Sequence, residues 1–290
     1  MIEARRITKF FSVVKDDGTA EGLTSVLSVS LRIPDGQFVA LVGPTGCGKS
    51  TFLEVLAGLQ APTEGEVFID GKQVLEPLPA TRKEMEAYRR KYRFVSPLAN
   101  GLFRDRPKHD IAMIFQDYAV FPWMTARENV LFTLKLRGVA RAERESLAQQ
   151  YLAQVGLGGS EHKYPSQLSG GMRQRLAIAR ALSVEPKIIL MDEPFAAVDA
   201  LTREKLQEDL LAVWQGTGKT IVLVTHDIDE AVYLADEVVV FSPHPGTVRN
   251  QFSIEVSRPR RRDDPALGEF RERSVHIFRY DSVQAAECII

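Results

Sequence analysis

Four short stretches of this 290-residue chain combine residue types that handle phosphate. "GPTGCGKST" (Gly43 to Thr51) has the spacing Gly-x-x-x-x-Gly-Lys-Ser of a phosphate-binding loop. Gly43, Gly46 and Gly48 let the backbone curl so that its amides converge on phosphate oxygens. Pro44, Thr45, Cys47 and Thr51 complete the loop; Cys47 reads as a neutral filler. Lys49 brings a positive charge to the β- and γ-phosphates, and the Ser50 hydroxyl suits Mg2+. "IILMDEP" (Ile188 to Pro194) carries Asp192, suited to hold magnesium, and Glu193, one residue further and suited to act as base toward water. "TIVLVTHD" ends on Thr225, His226 and Asp227, and "IAMIFQ" ends on Gln116, an amide that can reach magnesium or the water.

A fifth stretch, "YPSQLSGGMRQRLAIARAL" (Tyr164 to Leu182), poses a local puzzle. From Met172 the apolar residues Leu176, Ile178, Ala179 and Leu182 recur at helical spacing with arginines between them. Ser169, Gly170 and Gly171 stand at the start of that helix, where unpaired amides attract anions. A serine N-cap with small neighbours accounts for the same residues, and the stretch alone leaves both readings open.

The elements that must position these groups alternate. "QFVALVG", "KIILMDEP", "TIVLVTHD" and "DEVVVFSP" are apolar runs of strand length, and helical patterns run from about Lys49 to Leu59 and from Leu201 to Trp214. This order predicts an α/β fold with a mainly parallel sheet covered by helices. "LTSVLSVSLRI" and "GEVFIDG" predict further strands, and the stretch from about residue 117 to 182 predicts a helical subdomain inserted into the core. Residues 79–109 carry nine Lys or Arg against three Asp or Glu, a basic insert that reads as a solvated helix and loop or as a surface touching lipid head groups or a partner. "RPRRRDD" (Arg258 to Asp264) reads as a solvated linker before a helix from Ala266 to Arg279.

Composition sets the bounds. The chain is 44% hydrophobic and 26% charged, as in ordinary soluble globular proteins, and its formal net charge of −1 offers no general attraction to nucleic acid or anionic lipid. Two cysteines, Cys47 and Cys288, are too few for a disulfide framework or a zinc site. "MIEARRITKF" lacks the apolar centre of a signal peptide, and no apolar run approaches membrane-spanning length. A membrane role therefore requires a partner.

Taken together, the motifs resemble those of the ATP-binding-cassette ATPases, from about residue 3 to 250. "LSGGMRQR" is similar to that family's signature sequence and precedes the acidic strand as the family requires. The resemblance implies a RecA-like P-loop core with an antiparallel β subdomain and an inserted helical signature subdomain. Residues 1–250 would form the ATP-binding domain and 251–290 a C-terminal extension. It implies ATP and Mg2+ as cofactors, with Ser50, Gln116 and Asp192 toward the metal and Glu193, His226 and Gln116 in catalysis. Asp199 in "AAVDA" is similar to the D-loop aspartate, and Phe11, with Phe10 as the neighbouring choice, to the aromatic that stacks on adenine. Ser169, Gly170 and Gly171 would act in trans, on ATP held by the second subunit of a homodimer.

A narrower resemblance lies in "FQDYAVFPWMTARENV" (Phe115 to Val130), which is similar to cassettes of importers for nitrate, sulfonate, taurine and related small anions. It implies a permease helix seated near Phe121, Pro122 and Trp123, a binding protein met only indirectly, and a peripheral place on the cytoplasmic face of the cell membrane. Ordinary packing within the helical subdomain remains the other reading of those three residues. The alternatives are a cassette of another ABC transporter class and a soluble cassette ATPase; against the latter, no heptad run of the repair type appears and 290 residues hold one cassette, not the two of the translation type. A P-loop kinase or GTPase would leave Ser169 to Gly171 and His226 without a purpose.

Overall fold

Strands form where apolar runs meet turn residues, and they assemble into two sheets. The computed structural model describes residues 1–14, 20–74 and 111–275 of the chain. The first sheet is antiparallel: β1 (Ile2–Val14) pairs with β2 (Ala20–Ile33) on one side and β4 (Glu64–Ile69) on the other, and β5 (Lys72–Gln73) adds to β4. The second has the order β10-β9-β3-β8-β7-β6. Its members are β3 (Phe38–Val42), β6 (Ile111–Ile114), β7 (Ile188–Asp192), β8 (Thr220–Thr225), β9 (Glu237–Phe241) and β10 (Val248–Ser253). All neighbours are parallel except β10, which runs antiparallel to β9.

β3 and β8 are buried at every position, which explains why both read as unbroken apolar runs rather than alternating ones. The two-residue period still sorts their side chains between two cores. Phe38, Ala40 and Val42 join one core with Leu134, Leu176 and Leu210 from the helices, while Val39 and Leu41 join the other with Phe52, Leu53, Ile7 and Val26. The parallel sheet is thus covered on one face by α1 (Lys49–Leu56) and the antiparallel sheet. On the other it meets α2 (Ala126–Arg137), α4 (Gly170–Ser183), α5 (Ala200–Thr217) and α6 (Ile228–Leu234), with α3 (Arg141–Gln154) packed on α2 and α4.

The helix between Gln116 and the signature stretch begins at a reciprocal cap. Thr125 Oγ1 accepts from the Glu128 amide and Glu128 Oε2 accepts from the Thr125 amide, and Gly138 closes the helix at φ 86°. Such a cap contributes about 1 kcal/mol, so "MTARE" is a folding signal as well as part of the family-like run.

The basic insert at 79–109 lies outside the described residues, as does the far end of the extension. The linker reading of "RPRRRDD" is corrected for three of its arginines, Arg258, Arg260 and Arg262, the last donating to the buried Gln207 and lying over the Tyr233 ring. Arg260 is 8% exposed and donates to the carbonyls of Val232, Tyr233, Ala235, Ile254 and Val256. Three of those belong to the end of α6 and its exit, so the guanidinium satisfies carbonyls that a helix terminus leaves free. Arg258 donates to Leu234 O and Asp236 Oδ1 and lies over Trp214. Arg261 and Asp263 do form an exposed pair, as a solvated linker would. The helix expected from Ala266 is present over residues 265–275.

Candidate functional site

The functional groups gather at the carboxyl ends of β3, β6, β7 and β8, where neighbouring crossovers leave a crevice in an open α/β sheet. β3 delivers the chain into the glycine loop and α1 leaves it. Gly48 adopts φ 94°, and a Cβ there would lie 2.4 Å from Ser25 O, so both conformation and space require glycine. Lys49 is 4% exposed, with Nζ donating to Gly43 O at 2.8 Å and Pro44 O at 2.9 Å. The ammonium is thereby held at the loop's centre by weak neutral acceptors, which phosphate oxygens would outcompete. Cys47 is buried and its thiol is pushed up by burial, in keeping with a filler.

Ser50 Oγ donates to Asp192 Oδ1 at 2.8 Å, joining the loop to the end of β7. Burial pushes the Asp192 carboxyl up, the bond from Ser50 opposes this, and the charge of Glu193 adds to the rise. A hydroxyl beside a buried carboxylate is the oxygen donor set that a hard divalent cation takes, and a cation there would relieve the buried charge. The residues present therefore fit Mg2+. Gln116 belongs to the same end: Ile114 on β6 pairs with Met191 on β7, and Gln116 and Glu193 each follow by two residues.

Glu193 departs from strand geometry. Its φ is 42°, in the left-handed region that costs a non-glycine residue roughly 1 kcal/mol or more. Its amide still donates to Val224 O, while its Oε2 lies 3.1 Å from His226 Nδ1. The strained turn thus carries the carboxylate off β7 toward the histidine that leaves β8. A cleft of about 40 Å3, room for one water, is lined by Glu193, His226, Thr225, Asp227, Glu230, Arg203, Phe195 and Ala196.

The remaining expected residues fall in three places. Ser169 caps α4 by accepting from the Met172 amide at 3.3 Å. A Cβ on Gly171 would come within 2.6 Å of Thr202 Cγ2, and one on Gly170 within 3.3 Å of Ala197 O. The signature glycines thus pack against α5 and the chain before it, which gives Gly171 a reason within its own subunit. Asp199 caps α5, accepting from the Thr202 amide at 3.0 Å, and that bond holds its carboxyl below the usual range. Phe11 shares its strand face with Lys9, whose Nζ lies 5.0 Å from the ring, and Lys9 pairs with Val26, which packs toward Gly48. Phe10 points to the other face, where its ring covers Gly22. Of the two aromatics, Phe11 is the one on the phosphate-loop side.

Of the three residues expected near a permease helix, two are exposed. Trp123 is 68% exposed and Pro122 is exposed, but Phe121 is half-buried, held between Phe132 at 5.0 Å, Trp123 at 5.5 Å and the Arg180 guanidinium at 4.6 Å. Three aromatic or cationic neighbours account for its burial. Beside them lies an open hollow of about 720 Å3 lined by Trp123, Met124, Leu131, Phe132, Lys135 and Arg144 among others.

Sequence reading passed over Glu230, Gln207 and Arg203. Glu230 is buried beneath the cleft, and burial pushes its carboxyl up to about 7, against bonds from Thr225 and Gln207. The one available signal is a glutamate three residues after Asp227, immediately before the apolar run Ala231 to Leu234. The folded chain binds this proton more tightly than the unfolded chain. Its contribution to stability is therefore complete below about pH 4.5 and is lost as pH rises to about 7, a fall on the order of 3 kcal/mol. Glu230→Gln cannot titrate and should flatten that stretch of the stability curve. Urea unfolding at pH 5 and pH 7 measures this, and parallel losses in both proteins would contradict it.

Comparison with known proteins agrees with the geometry. A family model described as ABC transporter matches residues 26–196. The uncharacterized ABC transporter ATP-binding protein MJ0412 of Methanocaldococcus jannaschii is 41% identical over 87% of this chain and 83% of its own length. The nitrate import ATP-binding protein NrtD of Synechocystis sp. is 38% identical over 91% of this chain and 87% of its own. Among solved structures, a dimeric post-hydrolysis state of the ATP-binding cassette MJ0796 bound to ADP and Pi is similar with a TM-score of 0.69 and 32% identity, over 89% of this chain and 100% of that one.

Proposed function

The chain belongs to the ABC transporter family, and from that premise we propose that it is the ATPase subunit of an importer for a small anion such as nitrate, sulfonate or taurine. The family makes it an ATP-binding, ATP-hydrolysing cassette; the residue roles and the cargo are our reading. The observation that carries it is the convergence of Lys49, Ser50, Asp192, Glu193, Gln116 and His226 on one end of one sheet.

Lys49 and the amides of Gly46 to Thr51 bind the β- and γ-phosphates, and Phe11 stacks on the adenine. Ser50, Asp192 and Gln116 would hold Mg2+, which when bound neutralises phosphate charge. Glu193 accepts a proton from the attacking water, and His226 holds Glu193 while facing the γ-phosphate. Because the site opens at the sheet's end, the γ-phosphate needs a cover. Ser169 and the Gly170 and Gly171 amides of a second subunit supply it, and Asp199 lies at the same interface. Two ATP molecules would thus join a homodimer, consistent with the dimeric state of the related cassette.

The partner in the membrane is a separate permease, seated against Pro122, Trp123 and the adjoining hollow. No helix among the described residues is long and apolar enough to cross a membrane, so attachment to the cytoplasmic face would come through that permease. The "YAVFPWMT" run and the likeness to a nitrate import protein support the anion class.

Transport by the reconstituted importer tests the assignment, with nitrate and its binding protein as the first cargo. Trp123→Ala should lower assembly with the permease about tenfold or more, as loss of an interface aromatic does. The isolated subunit's melting temperature should hold, because the indole is mostly exposed. An equal loss of thermal stability would instead assign Trp123 to packing within the helical region.

A further inference from the structure

We propose that Glu230 is a positioning residue for His226, and that Arg262, in the segment after the last strand, controls it through Gln207. The inference rests on His226 belonging to the hydrolytic site. Among the described residues His226 makes one side-chain bond, to Glu193, and its side chain is 55% exposed. Its two chain neighbours are fixed from beneath, and both fixings lead to Glu230. The Asp227 carboxylate accepts from the Glu230 amide at 3.1 Å. The Asp227 amide donates to Thr225 Oγ1 at 3.0 Å, and that same hydroxyl meets the Glu230 carboxyl. The segment that aims the imidazole is thus held on one side by the Glu230 main-chain amide, with Asp227 as the N-cap of α6, and on the other by the buried Glu230 carboxyl through Thr225.

Glu230 is fixed in turn by a group from another element. Gln207 on α5 is 2% exposed, and its Nε2 donates to Glu230 Oε1 at 2.8 Å. A buried amide can flip, which would present an oxygen to the carboxyl instead. The Arg262 Nη2 prevents this by donating to Gln207 Oε1 at 2.7 Å. Arg262 is itself set by the Tyr233 ring, 3.9 Å from its guanidinium carbon. The order of donors runs one way, from Arg262 to Gln207 to Glu230, and a buried polar relay holds its geometry only while every member is satisfied. Arg203, which pairs with Asp227 and donates to Val198 O, ties the same loop to the turn before Asp199. The C-terminal segment therefore has a route to the hydrolytic histidine that passes through neither nucleotide nor dimer interface.

The test uses the full chain, with two readouts. The chain has five histidines, so the His226 ring resonances can be assigned by His226→Gln and followed by NMR without nucleotide. Glu230→Leu and Arg262→Met should each shift those resonances. Each should lower kcat roughly fivefold with KM for MgATP unchanged, and the two substitutions combined should cost little more than one. Glu230→Gln, which keeps an acceptor for Gln207, should restore both values. Arg262 is half-buried where Glu230 is fully buried, so its variant should fold even if Glu230→Leu does not. Unmoved His226 resonances in Arg262→Met would overturn the proposal, whatever happens to turnover. Shifted resonances with normal turnover would uphold the relay and count against His226 as a participant in hydrolysis.

Discussion

Glu193→Gln should bind MgATP with near-normal affinity and hydrolyse it at least about a hundredfold more slowly. The amide matches the carboxylate in size and can still meet His226 Nδ1, now 3.1 Å from Glu193 Oε2. The left-handed backbone at φ 42° belongs to the turn and is no worse for glutamine than for glutamate. What changes is basicity: an amide oxygen cannot take the proton that water must lose as it attacks phosphorus. A second consequence concerns charge. Removing one of two adjacent carboxylates lowers the repulsion between this site and the γ-phosphate, so the ATP-bound state should persist. The variant should therefore accumulate as an ATP-bound dimer, visible by size exclusion with MgATP and absent without it. Purified Glu193→Gln that turns over at near the normal rate would remove Glu193 from the role of base.

The site was largely legible because its parts are local in sequence. The central strands β3, β7, β8 and β9 are buried on both faces, so they announce themselves as apolar runs, and the half-buried β6 is apolar as well. The polar residue that ends the run must then lie at the sheet's edge. Lys49, Asp192, Glu193, His226 and Gln116 all follow from that one rule. What stayed hidden depends on contacts between distant segments. The burial of Arg260 cannot be inferred from "RPRRRDD", because three of the five carbonyls it satisfies lie 25 to 28 residues earlier, at the end of α6 and its exit. Glu230 reads as one of two acidic residues in the first turn of a short helix until Gln207 and Thr225 are seen around it. Phe121 and Trp123 are two residues apart in one motif, yet Arg180 and Phe132 cover only the first. The left-handed turn at Glu193 has no sequence signal, since glutamate carries no preference for it.

Ser169→Arg separates the two meanings of the serine-glycine-glycine stretch. Within one subunit Ser169 is an exposed N-cap, so its loss should cost about 1 kcal/mol of stability and leave the phosphate loop untouched. The arginine points to solvent in the monomer, and MgATP binding should stay nearly intact. Across a dimer the same side chain would occupy the space where the partner's γ-phosphate must be capped. Hydrolysis should then fall steeply, and ATP-driven dimers should not form. Ser169→Ala serves as the control, because it removes the cap without adding bulk and should dimerise. Combining Ser169→Arg with Glu193→Gln gives the widest contrast, since the Glu193→Gln parent should hold its dimer long enough to measure. The parent should elute as a dimer with MgATP and the double variant as a monomer, at equal nucleotide occupancy. Equal dimerisation of both, or normal hydrolysis by Ser169→Arg, would confine Ser169 to its own helix. Gly171 would then be explained by its close packing on Thr202 alone.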